Sequence, residues 1–506
     1  MGITRLIQLN YKKVGFPRLP STSTSLSLIP TARFLSSTAN PLIHCNSPLS
    51  KKMTSAPENT AKTLTLDNLS KWAKEFETED KVGQLAASVF QHGDIDTLLI
   101  SRKREILDTH VFNTKVDPEG APVTNQKQSG RCWLFASTNL LRLALMKKFN
   151  LKETQLSPSY LFFYDKLEKS NFFLEQIIDT YKEDVDSRLV QWFLTDPISD
   201  GGQFTMMTEV VKKYGVVPNS VYPDSHNTLS SRVMNRLITS KLREFAKILR
   251  DKLNKGEDVS ESKLEMQHEI FRLLCIFLGV PPKPDEEFTW DYYDKDGKFG
   301  TVTSTPLNFV KDVIEFDYPD YISLLNDPRN EYNKVVKIDR LGNIAGGDTV
   351  EYLNLEIEKL TAAVVDRIKN NKAVFFGTDT PKFMDKTRGV MDIDLWDYEL
   401  IGYKPREMAK ADRVTYHNSL MTHAMLITAV HLDKDGKPVR YRVENSWSDK
   451  SGEKGYYVMT QDYFEQYVYQ VVVEKKDVPE LVPLLKDESP VVLPPYDPMG
   501  ALANCF

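Results

Sequence analysis

The sequence predicts an α+β fold in two lobes, a mainly helical half followed by a mainly β half. Two observations carry this. Before residue 370, apolar residues recur at three- and four-residue spacing over long segments. After Asn371 the pattern changes to short runs rich in β-branched and aromatic residues. A length of 506 residues allows two or three compact lobes, each with its own core.

In order, a helix is expected around Leu66–Phe76, then a loop over 116–131 punctuated by Pro118, Gly120, Pro122 and Gly130. A helix from about Cys132 to Phe149 follows, with Phe135, Leu140, Leu143, Ala144 and Met146 on its buried side. Residues 200–223 read as loop, short helix and loop. From Ser230 to Leu253 the stripe Val233, Leu237, Leu242, Phe245, Leu249 and Leu253 marks a long helix, and a second covers about Glu261–Leu278. A hairpin pairs Phe288–Tyr293 with Phe299–Ser304 through Asp296-Gly297. Another helix is expected from Asp348, where Asp348 and Glu351 resemble a capping box and Leu355, Leu360, Val364 and Ile368 continue the stripe. Strands are expected at 373–378, 424–432, 439–445 and 455–460, with Asp435-Gly436 turning between the second and third.

The first fifty-odd residues are of another kind. No Asp or Glu occurs before Glu58, while seven of the 65 basic residues do, leaving 58 basic against 70 acidic residues beyond, a net of −12. Ile3, Leu6, Ile7 and Val14 share a helical face, and Arg33-Phe34-Leu35-Ser36 resembles a matrix-peptidase cleavage signal. This is the profile of a mitochondrial transit peptide. Met53 opens a second start, so a leaderless cytoplasmic form is expected beside the mitochondrial one. No compact apolar segment follows the charges, as a secretory signal requires, and Leu6 stands where a myristoylation signal has Ser or Thr. No apolar run reaches the roughly 18 residues of a membrane span.

Cys45, Cys132, Cys275 and Cys505 form no CxxC pair, so neither a zinc site nor a disulfide framework is indicated, and no cofactor is implied. Cys275, within FRLLCIFLG, reads as a core residue. Cys132 differs. It opens an apolar helix just after a glycine-bearing loop, where the helix N-terminus favours an anionic sulfur.

Five ordered segments together resemble the papain superfamily and, within it, the bleomycin hydrolase branch of intracellular cysteine aminopeptidases. They are Gln126 to Cys132-Trp133, Asp200-Gly201-Gly202, Tyr214–Pro223, Met421–Met425 around His423, and Val443–Trp447 around Asn445. The resemblance covers roughly Thr65–Phe506 and implies a papain-like two-lobed fold. It makes Cys132 the nucleophile, His423 its base, Asn445 the group orienting that base, and Gln126 an oxyanion donor beside the Cys132 backbone N–H. It makes Gly201, Gly202, Trp133, Trp447 and Ala503 substrate-binding residues. His417, in TYHNSL, reads as loop, and His431 faces a hairpin turn.

About 200 residues separate Tyr222 from His423, so the resemblance implies a large helical, hook-like insertion that joins six subunits around an inner channel. The boundaries expected are a leader at 1–52, a helical lobe at 60–225, the insertion at 226–370, a β lobe at 371–480 and a C-terminal arm at 481–506. The arm is expected in the cleft, its terminal carboxylate pairing with the free amine of a peptide substrate, which accounts for aminopeptidase action. Asn504-Cys505-Phe506 reads as an extension to be trimmed. Hydrolysis of bleomycin and of homocysteine thiolactone is implied by resemblance alone. The alternative is a regulatory protein that binds DNA or RNA through a basic channel. The acidic body disfavours it, although Lys241–Lys255 offers a basic strip. Another Cys-His acyl-transfer enzyme is disfavoured by the Gln126 spacing and by Gly201-Gly202.

Overall fold

The computed structural model describes residues 64–486 and 488–501. The transit-peptide reading at 1–52 and the substrate-binding assignment of Ala503 lie outside them. The chain divides into two units, Met1–Ala73 and Lys74–Phe506. The helix expected around Leu66–Phe76 is present as Leu66–Thr78.

In the second unit, after shorter helices between Lys81 and Leu107, the helices that matter for the site are α1 (Cys132–Lys148), α2 (Pro158–Asp179) and α3 (Phe204–Tyr214). Ser157 caps α2 by accepting from the Tyr160 N–H, with Pro158 in the first turn, where a missing N–H costs nothing. Then come α4 (Arg232–Asn254), α5 (Ser260–Leu278) and the hairpin of β1 (Phe288–Tyr293) and β2 (Phe299–Ser304). The hairpin takes the predicted bounds.

The strands β3 (Tyr321–Leu325), β4 (Lys334–Ile338) and β5 (Glu351–Asn354) precede helix α6 (Ile357–Lys369). After it lie β6 (Val374–Thr378), β7 (His423–Leu432), β8 (Pro438–Glu444), β9 (Tyr456–Thr460), β10 (Val468–Glu474) and β11 (Val491–Leu493). One mixed sheet joins them in the order β11-β4-β5-β3-β10-β6-β7-β8-β9, extended beyond β9 by two short strands. Its centre is covered on both sides. Ala424 and Leu426 of β7 enter the core shared with the helices, and Met425 and Ile427 enter the core under α6. Strands covered on both faces read as near-continuous apolar runs, which is how AMLITAV, broken only by Thr428, appears in the sequence.

Four expectations need correction. The helix foreseen from Asp348 is strand β5, and α6 starts only at Ile357, with Glu356 at its N-cap. Tyr352, Leu353, Asn354 and Leu355 are all buried, so this stretch follows a two-faced strand rather than a helical stripe. The stretch 226–370 is therefore helical only in its first half, and β3–β5 enter the same sheet as β6–β10.

On α4 the buried stripe is Met234, Ile238, Leu242, Phe245, Ala246 and Leu249, while Val233 and Leu237 are half exposed. The step of five from Leu237 to Leu242 leaves the helical face, whereas four from Ile238 keeps it. On α1, Ala144 is exposed and Leu141 and Leu145 are buried in its place. The helix is enclosed on most sides, which blurs its stripe. Cys275 packs at the edge of the helical core.

No described helix is long and apolar enough to cross a membrane.

Candidate active site

The site forms where α1 packs against β7. Cys132 is the first residue of α1, and His423 is the first residue of β7, paired with Thr378 of β6. Both are fully buried, as are Gln126 and Asn445 to within about 1%.

His423 Nε2 lies 2.8 Å from Asn445 Oδ1. An amide oxygen only accepts, so Nε2 carries the hydrogen. The proton that the ring exchanges must then use Nδ1, which is buried without a hydrogen-bond partner among the described residues. Asn445 Oδ1 also accepts from the Ser446 N–H at 2.7 Å, which fixes the amide. Trp447 stacks over the imidazole, with ring centroids 4.9 Å apart and planes at 29°. Lys386 Nζ sits 4.5 Å above the Trp447 ring. His417 is exposed, and His431 is at the far end of β7, so neither rivals His423.

The loop before Cys132 is held by segments remote in sequence. On one side the Gln126 N–H donates to Ser446 O at 2.8 Å, the Ser448 N–H donates to Thr124 O at 3.0 Å, and Asn125 bridges to Trp447. On the other, the Gln128 N–H donates to Leu229 O at 2.9 Å. The Ser446 hydroxyl donates to Gln126 Oε1 at 2.7 Å, so Nε2 is the donor end, and it reaches Ser129 O at 2.6 Å. Gln126 is thereby oriented toward Ser129, the residue before Gly130.

Trp133 packs between Asp200 and Gly202. Its indole N–H donates to Asp200 O at 2.7 Å, and a Cβ on Gly202 would come within 2.5 Å of the indole. Gly202 is required by that approach. Trp133 is fully buried, as are Cys132 and His423, and it packs against Gly202. Gly201 O accepts from Lys169 Nζ at 2.6 Å.

Several groups that sequence reading overlooked support this geometry. Arg142 of α1 and Glu444 of β8 form a wholly buried ion pair at 2.5 Å, one residue before Asn445. Burial pushes the Glu444 carboxyl upward, with Arg142 opposing. Arg131 is buried beside Cys132, bonded to Asp224 at 2.8 Å and Ser159 at 3.0 Å, its guanidinium between Phe135 and Phe162. Buried charges in a motif's flanks are the signal that could have found them, since an unpaired charge there would be costly.

The arm is ordered by the body. Strand β11 pairs in parallel with β4, Arg329 donates to Asp497 at 2.7 Å, and Arg188 lies 3.6 Å over the Tyr496 ring. Gln203 Nε2 donates to Ala501 O at 2.7 Å, so the arm arrives at the residue following Gly202.

Residues 63–500 match the model of the Peptidase C1-like family. The chain is 52% identical over 454 residues to cysteine proteinase 1, mitochondrial, of Saccharomyces cerevisiae strain JAY291, covering 87% of this chain and 93% of the relative. It is 44% identical to human bleomycin hydrolase over 433 residues, covering 83% and 94%. The crystal structure of PepW from Lactobacillus rhamnosis HN001 superposes with a TM-score of 0.84 at 37% identity, covering 87% of this chain and 100% of that one. The chain belongs to the Peptidase C1-like family and is a cysteine peptidase similar to bleomycin hydrolase.

Proposed function

We propose that the chain removes residues from the free N-terminus of peptides, with Cys132 as nucleophile. The observation that carries this is the His423–Asn445 pair. It commits Nε2 and leaves the buried Nδ1 for proton exchange in a site shared with the first turn of α1.

The Cys132 sulfur, having given its proton to His423, attacks the scissile carbonyl carbon. The π electrons move to oxygen, and the Cys132 backbone N–H and the Gln126 amide are the donors that meet the oxyanion. On collapse the C–N bond breaks, the leaving amine takes the proton from His423, and a thioester remains. Water, deprotonated by His423, then attacks the thioester carbon; the C–S bond breaks, the acid leaves, and the Cys132 sulfur departs as thiolate beside the protonated His423 with which the cycle restarts. Asn445 keeps the ring in one tautomer throughout.

Restriction to N-termini is ascribed to the arm. Its course to Gln203 supports a block in the groove beside Gly201 and Gly202. Trp447 shields the His423–Asn445 contact from water, and Ala503 is the arm residue proposed to face the substrate.

The boundaries 1–52, 60–225, 226–370, 371–480 and 481–506 are proposed as working units. A homohexamer is proposed as the assembled state. Mitochondrial delivery by residues 1–52, and a cytoplasmic form from Met53, fit the mitochondrial name of the yeast relative. Bleomycin and homocysteine thiolactone are proposed as further substrates.

The test compares turnover of one peptide with a free and with an acetylated N-terminus. The full chain should cleave only the free form, and a chain lacking 499–506 should accept both. Equal rates on both forms by the full chain would refute the aminopeptidase reading.

A further inference from the structure

Asp200 touches the nucleophile's surroundings from both sides. Its Oδ2 accepts from the Gly130 N–H at 3.0 Å, two residues before Cys132. Its backbone carbonyl accepts from the Trp133 indole at 2.7 Å, one residue after. The carboxylate is 1% exposed and fully engaged. Lys166 Nζ lies 2.6 Å from Oδ1, Asn235 Nδ2 donates to Oδ1 at 2.6 Å, and the Ser231 hydroxyl donates to Oδ2. Burial alone would raise this carboxyl, yet Lys166, Ser231 and Asn235 hold it well below the usual carboxylate range.

Ser231 and Asn235 lie beyond residue 225, in the stretch proposed as an insertion, although their helix packs in the same core as Cys132 and Trp133. Ser231 is the N-cap position of α4 and Asn235 lies in its second turn. The same segment meets the loop a second time, through the Gln128 N–H to Leu229 O and through a backbone bridge from Gln128 to Ser230. The loop from Asn125 to Gly130 is thus enclosed between the Asn445–Ser448 segment and the start of α4. Both sides meet it through hydrogen bonds, which have direction and set an angle, rather than through apolar packing alone.

We infer that Asp200, Ser231 and Asn235 are positioning residues for the peptidase reaction, and that the start of the insertion belongs to the active-site scaffold. They act through Gly130 and Trp133 on the placement of Cys132 and of the oxyanion donors, and they touch no substrate. The inference rests on Cys132 being the nucleophile. Reactions of this kind are sensitive to misplacement of the attacking atom, about 100-fold for roughly 1 Å, so loss of one anchoring bond is expected to slow the chemical step without weakening binding.

The experiment uses the full chain and an aminoacyl-coumarin with a free amine. Ser231→Ala removes one donor to Asp200, and Asn235→Asp keeps the shape of the side chain while replacing its donor by a like charge. Each is expected to lower kcat about 10-fold, with KM within about twofold and the cooperative melt retained. Ser231→Thr, which keeps the hydroxyl, is expected to recover most of kcat. An unchanged kcat in both folded variants overturns the inference. So does a fall confined to KM, or Ser231→Thr as slow as Ser231→Ala. Should Asn235→Asp fail to fold, the Ser231 pair decides alone. Cys132→Ser is measured in parallel. Activity persisting there refutes the nucleophile reading itself, an outcome distinct from any result at Ser231 or Asn235.

Discussion

The β1–β2 hairpin and the loop before Cys132 are similar in length, yet they are specified in opposite ways. In the hairpin, Trp290 faces Val302 and Phe288 faces Ser304, and the turn closes through Asp294, whose carboxylate accepts from the Asp296 and Lys298 N–H groups at 3.0 and 2.8 Å. Nearly every bond is made within the same seventeen-residue stretch. In the loop, the Gln126 side chain takes its orientation from Ser446, 320 residues away, and the Gly130 N–H from Asp200, 70 residues away. Local bonds give a piece of structure that tolerates its surroundings. Remote bonds give one whose geometry is set only when the whole fold is present, and this is where the proposed chemistry sits.

The largest effect that separates them is chemical. Cys132→Ala should reduce peptide turnover by on the order of 10⁴-fold or more while the thermal midpoint stays near that of the parent, and His423→Ala should do the same. Turnover retained by either would remove the loop's claim to special status.

Next comes the clamp between the lobes. Breaking the buried Arg142–Glu444 pair by Glu444→Ala leaves an unpaired cation in α1 and should cost about 3–5 kcal/mol in urea unfolding. Activity should fall with it, because Asn445 follows directly. A loss below about 1 kcal/mol would show that the two lobes are held by apolar packing alone.

Ser446→Ala is a finer cut. It removes the hydroxyl that holds Gln126 Oε1 but leaves the Ser446 backbone contact, so about 1 kcal/mol of stability and a several-fold loss in kcat are expected. A kcat equal to the parent's would mean that Ser129 suffices to orient the amide.

Smallest, and confined to the other region, is Gly297→Val. Gly297 has φ +79° and an added Cβ would meet nothing within 4 Å, so the cost is conformational, about 1–2 kcal/mol. Peptide turnover should be unchanged. A large drop in kcat would show that the hairpin and the loop are not independent after all.

Much of this contrast was legible beforehand. The hairpin's bounds followed from Asp296-Gly297 and its flanking aromatics. Cys132 and His423 were singled out because each stands in a short motif with a marked neighbour, Trp133 and Met421–Met425, and the structure packs the elements they open against each other. The network around Asp200 was not readable as such, since Ser231 and Asn235 are unremarkable polar residues in a helix and acquire meaning only beside a buried carboxylate. The same blindness misplaced β5. Its buried run, Tyr352 to Leu355, is ambiguous in period until a sheet is there to cover both faces.

By itself, then, the sequence determined what depends on neighbours a few residues away. That includes the main helices, the hairpin, the shift to strands after Asn371, and the residue types able to exchange a proton or attack a carbonyl. Only the tertiary structure decided that Trp133 lies beneath Gly202, that β3–β5 join the sheet of His423, that the arm reaches Gln203, and that the start of α4 bonds to the loop before Cys132. The physical reason is that periodicity records which face of an element is buried, not what buries it. A hydrogen bond between residues 70 or 320 positions apart leaves no trace in the spacing of either partner.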